Sequence, residues 1–230
     1  MNHKYKLQSR HTIELVRNLL SQGIDRISLL LRHSDRHYSD NPRLEPFMGL
    51  NDSGKEYAFD LGKSFPIDLT PVFFSSHFGR CIETNYLIDK GFTSVTGRQL
   101  PHNALDSNLA PFYVKDVPET LKIMAKTGSA QFIRNWFDKT IDASVMLDPE
   151  ATADRISDFM LSKLEALSPG QAAVCVTHDW NIFPVKQFKL GLCHEDALNV
   201  GYLDAVAFFE KDAQFFAVAR QFDPVRVAWP

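Results

Sequence analysis

Two arginines bracket a histidine in the run Arg32-His33-Ser34-Asp35-Arg36, with His37 just behind. A guanidinium presents a rigid fork of N–H donors that matches the oxygens of a phosphate. An imidazole near neutral pH can serve as base or nucleophile. Two later segments use the same chemistry: Ser75-Ser76-His77 with Arg80 close behind, and Val176-Thr177-His178-Asp179. Together they offer positive charge for phosphoryl oxygens, an imidazole to take the phosphoryl group and a carboxyl group for the leaving alcohol. Phosphoryl transfer asks for positioning and charge more than for elaborate covalent machinery. Taken singly, a histidine of this kind is commonly an ordinary surface residue, so the case rests on all three segments arriving at one place.

A parallel sheet would bring them there. Ile27–Leu31 is a short, bounded apolar run, as a buried strand requires, and it stops abruptly at Arg32. Val72-Phe73-Phe74 ends in Ser75-Ser76, and Ala172–Thr177 ends in His178-Asp179. Helical patterns lie between these runs. Residues 12–22 carry Ile13, Leu15, Val16, Leu19 and Leu20 before Gly23. Asn51 is a good N-cap for a helix from Gly54 to Phe65, with Tyr57, Ala58, Leu61 and Phe65 inward. The next helix has Arg80 in its first turn, and its apolar Ile82, Tyr86 and Leu87 are expected to face the core. Helices over 152–167 and Ile182–Leu190 flank the third run, with a turn at Pro169-Gly170. Two late strands are expected over Tyr202–Phe209 and Phe215–Ala219, joined at Lys211-Asp212. Strand alternating with helix predicts an α/β fold with a parallel sheet, and such sheets bind ligands at the carboxyl ends of their strands.

The rhythm breaks twice. Residues 39–49, with Pro42 and Pro46, read as loop. From about 97 to 150 the chain is punctuated by Pro101, Pro111 and Pro118, with short helices over Glu119–Lys126 and Ser129–Thr140. Phe132, Ile133, Trp136 and Phe137 of the second should form a small core of their own. The chain therefore reads as one domain over 1–230 with a region inserted at about 97–150.

Composition narrows the function classes. The 230 residues are 44% hydrophobic and carry a net charge of −3, so there is no global field for nucleic acid and no polybasic patch for a membrane. Three cysteines, Cys81, Cys175 and Cys193, are too few and too scattered for a disulfide framework or a zinc ribbon. His33 and His37 have the four-residue spacing of a helical zinc pair, but they follow a strand and no glutamate completes the motif. Neither a metal nor a cofactor is expected. The first residues lack the apolar core of a secretory signal, and no apolar run approaches the ~18 residues of a spanning helix. A soluble, cytoplasmic protein acting on a small phosphorylated substrate is the expectation, with no nucleic acid and no membrane involved.

The same segments resemble the histidine phosphatase superfamily, which joins phosphoglycerate mutases and histidine acid phosphatases. Leu31-Arg32-His33-Ser34 is similar to the family's Arg-His-Gly. Leu50-Asn51-Asp52-Ser53-Gly54, followed by Ala58 and Leu61-Gly62, resembles its Leu-Thr-x-x-Gly helix start. Ser75-Ser76-x-x-x-Arg80-x-x-x-Thr84 is similar to its second arginine segment, and Val176-Thr177-His178-Asp179 to its second histidine. The resemblance implies a three-layer α/β/α fold with a mainly parallel central sheet, phosphoglycerate mutase-like. It implies His33 as nucleophile, with Arg32, Arg80 and His178 on the phosphate. Arg36 stands where the acid-phosphatase branch carries a further phosphate-binding arginine. Asp179 takes that branch's place for the proton donor; Asp106, the nearest acid to the mutase-like placement, is the alternative.

The sequence also departs from the family. Ser34 replaces a glycine, Tyr38 replaces a proline of the acid-phosphatase branch, and Asp35 would repel a phosphate dianion unless it turned away. The mutase branch's sequence after Arg-His-Gly is missing, against a glycolytic mutase. The expected activity is a metal-independent phosphomonoesterase working through a phosphohistidine. A phospho-ligand binding or regulatory module without turnover and a phosphomutase are the alternatives.

Overall fold

A computed structural model describes residues 3–193, 195 and 200–228. Its elements in chain order are α1 (His3–Ser21), β1 (Arg26–Arg32), α2 (Asp52–Ser64), β2 (Thr70–Ser75), α3 (Gly79–Thr96), β3 (Ala104–Leu105), α4 (Val117–Thr127), α5 (Ser129–Phe137), α6 (Pro149–Glu165), β4 (Gln171–Thr177), α7 (Asp179–Lys189), β5 (Ala205–Lys211), β6 (Gln214–Ala219) and β7 (Val225–Arg226). The strands form one sheet in the order β3-β2-β4-β1-β5-β6-β7. β3, β2, β4 and β1 are mutually parallel, and β5, β6 and β7 follow as antiparallel neighbours. Five strands therefore run one way and two the other, a mixed and mostly parallel sheet.

The pleat of β1 shows why the fold has three layers. Ile27, Leu29 and Leu31 pack with α1, α2 and α3 on one face, while Leu30 turns to α6 and α7 on the other. A strand buried on both faces reads as a continuous apolar run, as β1 and β4 do. Each fully buried leucine or isoleucine contributes about 1.5–3 kcal/mol. The third apolar cluster gathers Tyr113, Phe132, Ile133, Trp136, Phe137, Val145 and Met146, the small core expected for this region.

Asn51 caps α2 by accepting from the Gly54 amide at 2.8 Å. α2 and α3 pack backbone to backbone where Gly62 and Gly91 meet; a β-carbon on Gly91 would stand 2.1 Å from the Phe59 carbonyl. That close crossing decides which face of α3 is inward. The inward residues are Arg80, Cys81, Thr84, Asn85, Ile88, Gly91 and Phe92. Ile82 and Tyr86, expected inward, are 37% and 55% exposed, and Leu87 is only partly buried. Apolar periodicity pointed to a neighbouring stripe because the inward face mixes Ile88 and Phe92 with glycine and with polar residues serving the site.

Other differences are local. α1 extends back to His3, and α6 begins at Pro149 with Asp148 as its cap. α5 ends at Phe137, just before Lys139 takes a positive φ. β5 begins only at Ala205, because Leu203 has a φ of 63° and turns the chain ahead of the strand. The two-residue strands β3 and β7 had no signal in the sequence: a strand that short has no periodicity to read.

Candidate active site

Register sets the site. β4 lies between β1 and β2, pairing Arg32 with Thr177 and Ser75 with Val176. The ladder runs on past the strand ends, where the His33 amide donates to Thr177 O at 2.9 Å and the Ser76 amide to Val176 O at 3.0 Å. His33, Ser76 and His178 thereby leave the sheet at one level along its carboxyl edge. Arg80 comes to the same place from the first turn of α3, and Asp179 from the first turn of α7.

Arg80 is the hub. Its Nε–H donates to His33 Nε2 at 3.1 Å, a terminal nitrogen lies 3.3 Å from His178 Nδ1, and the other donates to Glu45 O at 2.8 Å. The imidazole tautomers follow, because a guanidinium can only donate and a carbonyl can only accept. His33 Nδ1 lies 2.8 Å from Ser34 O and must carry the proton there, leaving the lone pair on Nε2. His178 accepts at Nδ1, so its Nε2–H donates to Ser76 Oγ at 3.0 Å. The two rings stand 5.5 Å apart, edge to face. Burial, reinforced by the neighbouring arginines, holds both histidines well below the usual imidazole range; His178 adds to the effect on His33. Both are therefore neutral at pH 7, the form in which Nε2 of His33 is nucleophilic.

The other expected residues divide. Arg32 is in the cluster: it pairs with Asp179 at 2.8 Å, donates to Val200 O at 2.6 Å and lies 4.3 Å over the Tyr202 ring. Its buried Nε has no partner among the described residues and is a donor in reserve. Asp179 also accepts from the Trp180 amide at 2.9 Å, and it is the first helical residue of α7 rather than its cap. Arg36 stands further out, paired with Glu45 at 2.5 Å and 3.9 Å over the Tyr38 ring. It is near enough for its charge to depress His178. Asp106 turns away: its carboxylate caps the turn at Asn108 at 2.9 Å and faces Lys163 at 4.0 Å. Asp35 is turned onto the Arg36 amide at 2.9 Å. His37 and His77 are exposed.

Ser34, in the family's glycine position, is buried and satisfied: its amide donates to Thr84 Oγ1 at 3.1 Å and its hydroxyl to Gly54 O at 2.8 Å. It is not among the residues with positive φ, so a β-carbon there carries no strain. Gly54 supplies the room, since a β-carbon on it would stand 1.9 Å from Asp35 O. Cys81 lies 3.7 Å from His178 Nε2 with its thiol pushed by burial up to about 12, so it is an inert wall rather than a nucleophile. From the far side, the region between β3 and α6 braces the start of α7. Tyr113 Oη donates to Asn181 Oδ1 at 3.0 Å, Thr177 Oγ1 donates to Leu109 O at 2.7 Å, and Phe132 stacks on Trp180 at 5.3 Å.

Glu45, Tyr202 and Phe78 belong to the site but were not singled out in the sequence. Phe78 sets its ring 4.8 Å from that of His178. Glu45 lies in a proline-marked loop and Tyr202 at the start of a late strand, with no local pattern to connect either to His33. For Glu45 the usable signal was a carboxylate in the proline-marked loop a few residues after Arg36, a signal Asp40 shares.

No protein-family profile matches the chain, and no curated protein sequence matches it. Solved structures do. A putative alpha-ribazole-5'-P phosphatase from Escherichia coli K-12 is 15% identical, with a TM-score of 0.56 over 88% of this chain and 99% of that one. Bacillus stearothermophilus YhfR is 16% identical, with a TM-score of 0.57 over 84% and 95%. A phosphoglycerate mutase from Bacillus anthracis is 18% identical, with a TM-score of 0.54 over 86% and 94%. The chain has the phosphoglycerate mutase-like fold, the three-layer architecture shared by these phosphatases and mutases.

Proposed function

We propose that the chain is a metal-independent phosphomonoesterase that hydrolyses a small phosphorylated substrate through a phosphohistidine on His33. The reading is carried by the tautomer of His33: its Nδ1–H is tied to Ser34 O, so the lone pair of Nε2 points to the place where Arg80 converges with it. The Arg80 Nε–H moves from Nε2 to a phosphoryl oxygen, the freed Nε2 lone pair attacks phosphorus, and the ester P–O bond breaks. Asp179, in its acid form, gives its proton to the departing alkoxide. Water then attacks the phosphohistidine, the Asp179 carboxylate takes the water's proton, and phosphate leaves with His33 restored. Arg32, Arg80 and His178 hold the equatorial oxygens, the reserve Nε of Arg32 among the donors, with Arg36 at the outer edge. Three guanidiniums supply the charge stabilisation this transfer needs.

His33→Ala should abolish turnover of an aryl phosphate with EDTA present, while melting within a few degrees of the parent. Rapid quenching of the parent should trap an acid-labile, base-stable phosphoryl adduct at His33. An adduct on Ser34 or Ser76, or normal turnover in a folded His33→Ala protein, refutes the assignment.

A further inference from the structure

The outer side of the site is a closed loop. Residues 37–49 leave and rejoin the fold at one place, where Arg36 bridges Leu50 and the His37 amide donates to Gly49 O at 3.0 Å. Glu45 pins the loop from within. One carboxylate oxygen accepts from the Ser39 amide at 2.8 Å, the other holds Arg36 at 2.5 Å, and its carbonyl takes Arg80 at 2.8 Å. The loop so held leaves two aromatic side chains in solvent, Tyr38 at 66% and Phe47 at 76% exposure. Tyr38 lies under Arg36, and its hydroxyl meets that of Tyr202. Tyr202 lies under Arg32, with its ring 5.7 Å from that of His33.

The charges of this rim are largely spoken for. Arg32 already faces Asp179 and Arg36 already faces Glu45, while His33 and His178 are neutral. All three guanidiniums, Arg80 foremost, also serve the phosphoryl group, so none is left over for a second anion. At the loop tip Asp40 and Arg43 are both exposed and offset each other. A substrate with a second anionic group would find a carboxylate and two ring faces on this side, with no surplus cation.

We propose that Tyr38 and Glu45 select the alcohol half of the substrate: a phosphate monoester whose alcohol carries an aromatic or flat apolar group and no further negative charge. The inference rests on the phosphomonoesterase reading above and names the substrate class of the same site. The ring faces offer stacking and apolar area to the alcohol, and Glu45, by neutralising Arg36, leaves no free cation there for an added anion.

Three alkyl esters with comparable demand for a leaving-group proton test it: benzyl phosphate, glycerol 3-phosphate and 3-phosphoglycerate. In kcat/KM, benzyl phosphate should exceed glycerol phosphate by about tenfold, and glycerol phosphate should exceed phosphoglycerate by about tenfold. Tyr38→Ala should shrink the first gap and leave the second. Glu45→Gln, which keeps an oxygen for the Ser39 amide, should shrink the second and leave the first. Phosphoglycerate matching benzyl phosphate in the parent overturns the proposal, as does a folded Glu45→Gln protein with the second gap unchanged. Should the parent hydrolyse none of the three, calorimetric dissociation constants read the same ranking. A retained ranking would then refute the hydrolase reading while upholding the rim, and a flat one would refute the rim.

Discussion

Replacing Arg80 with lysine separates charge from geometry. The guanidinium reaches His33 Nε2, His178 Nδ1 and Glu45 O with three different nitrogens, at 3.1, 3.3 and 2.8 Å. An ammonium is a single point on a flexible stem and can satisfy one of these directions at a time. Two directed interactions are lost while the positive charge stays. A hydrogen bond from a charged group is worth about 1.5–3 kcal/mol, and the two histidine contacts are long, so the low end applies. Losing two costs about 3 kcal/mol of transition-state stabilisation, or about 150-fold in kcat/KM. Arg80→Ala, which also loses the charge, should fall by a further tenfold or more. The assay is kcat/KM on nitrophenyl phosphate, read beside the melting temperature of each variant. A folded lysine variant within about threefold of the parent would show that charge alone suffices and that the three-pronged geometry does no catalytic work.

Three further predictions concern the donor, the buried histidines and the loop junction. Asp179→Asn should lower turnover of an alkyl phosphate by roughly 100- to 10,000-fold but that of nitrophenyl phosphate far less, since nitrophenolate leaves without a proton; equal losses would make Asp179 merely the partner of Arg32. His33 and His178 are held well below the ordinary imidazole value of about 6.5 in the fold, so as pH falls below that value the unfolded chain binds more protons than the native one and stability declines. Going from pH 7.5 to 5.5 should therefore destabilise the parent more than a His33→Gln/His178→Gln protein; urea denaturation of the two should differ in slope over that window, and parallel slopes would refute the assignment. Gly54→Ala places a β-carbon against Asp35 O and should cost about 1–3 kcal/mol, with reduced kcat through displacement of the chain after His33; a melting temperature unchanged from the parent would show the contact relaxes freely.

Local pattern was enough to read the longer strands and the residues delivered at their ends. β1 and β4 are runs of buried apolar residues bounded by charge, so their existence, their type and the residues delivered at their carboxyl edge could be read from local pattern alone. The caps at Asn51 and the turn at Gly170 were legible for the same reason, each being set by its own side chain or φ. Tertiary structure decided what depends on partners distant in the chain. The inward face of α3 follows from its crossing with α2 at Gly62 and Gly91, and glycine carries no apolar signal. Where the two carboxylates lie is likewise a tertiary fact: Asp179 turns to Arg32, Asp106 to Asn108 and Lys163. Glu45 reaches Arg36 only because the 37–49 loop closes on itself. Tyr202 reaches Arg32 because β5 pairs beside β1 and the chain turns at Leu203 just before it. Periodicity encodes which residues a single element buries; it holds no information about which two elements will share a wall of the site, because that is fixed by packing between separate segments of the chain.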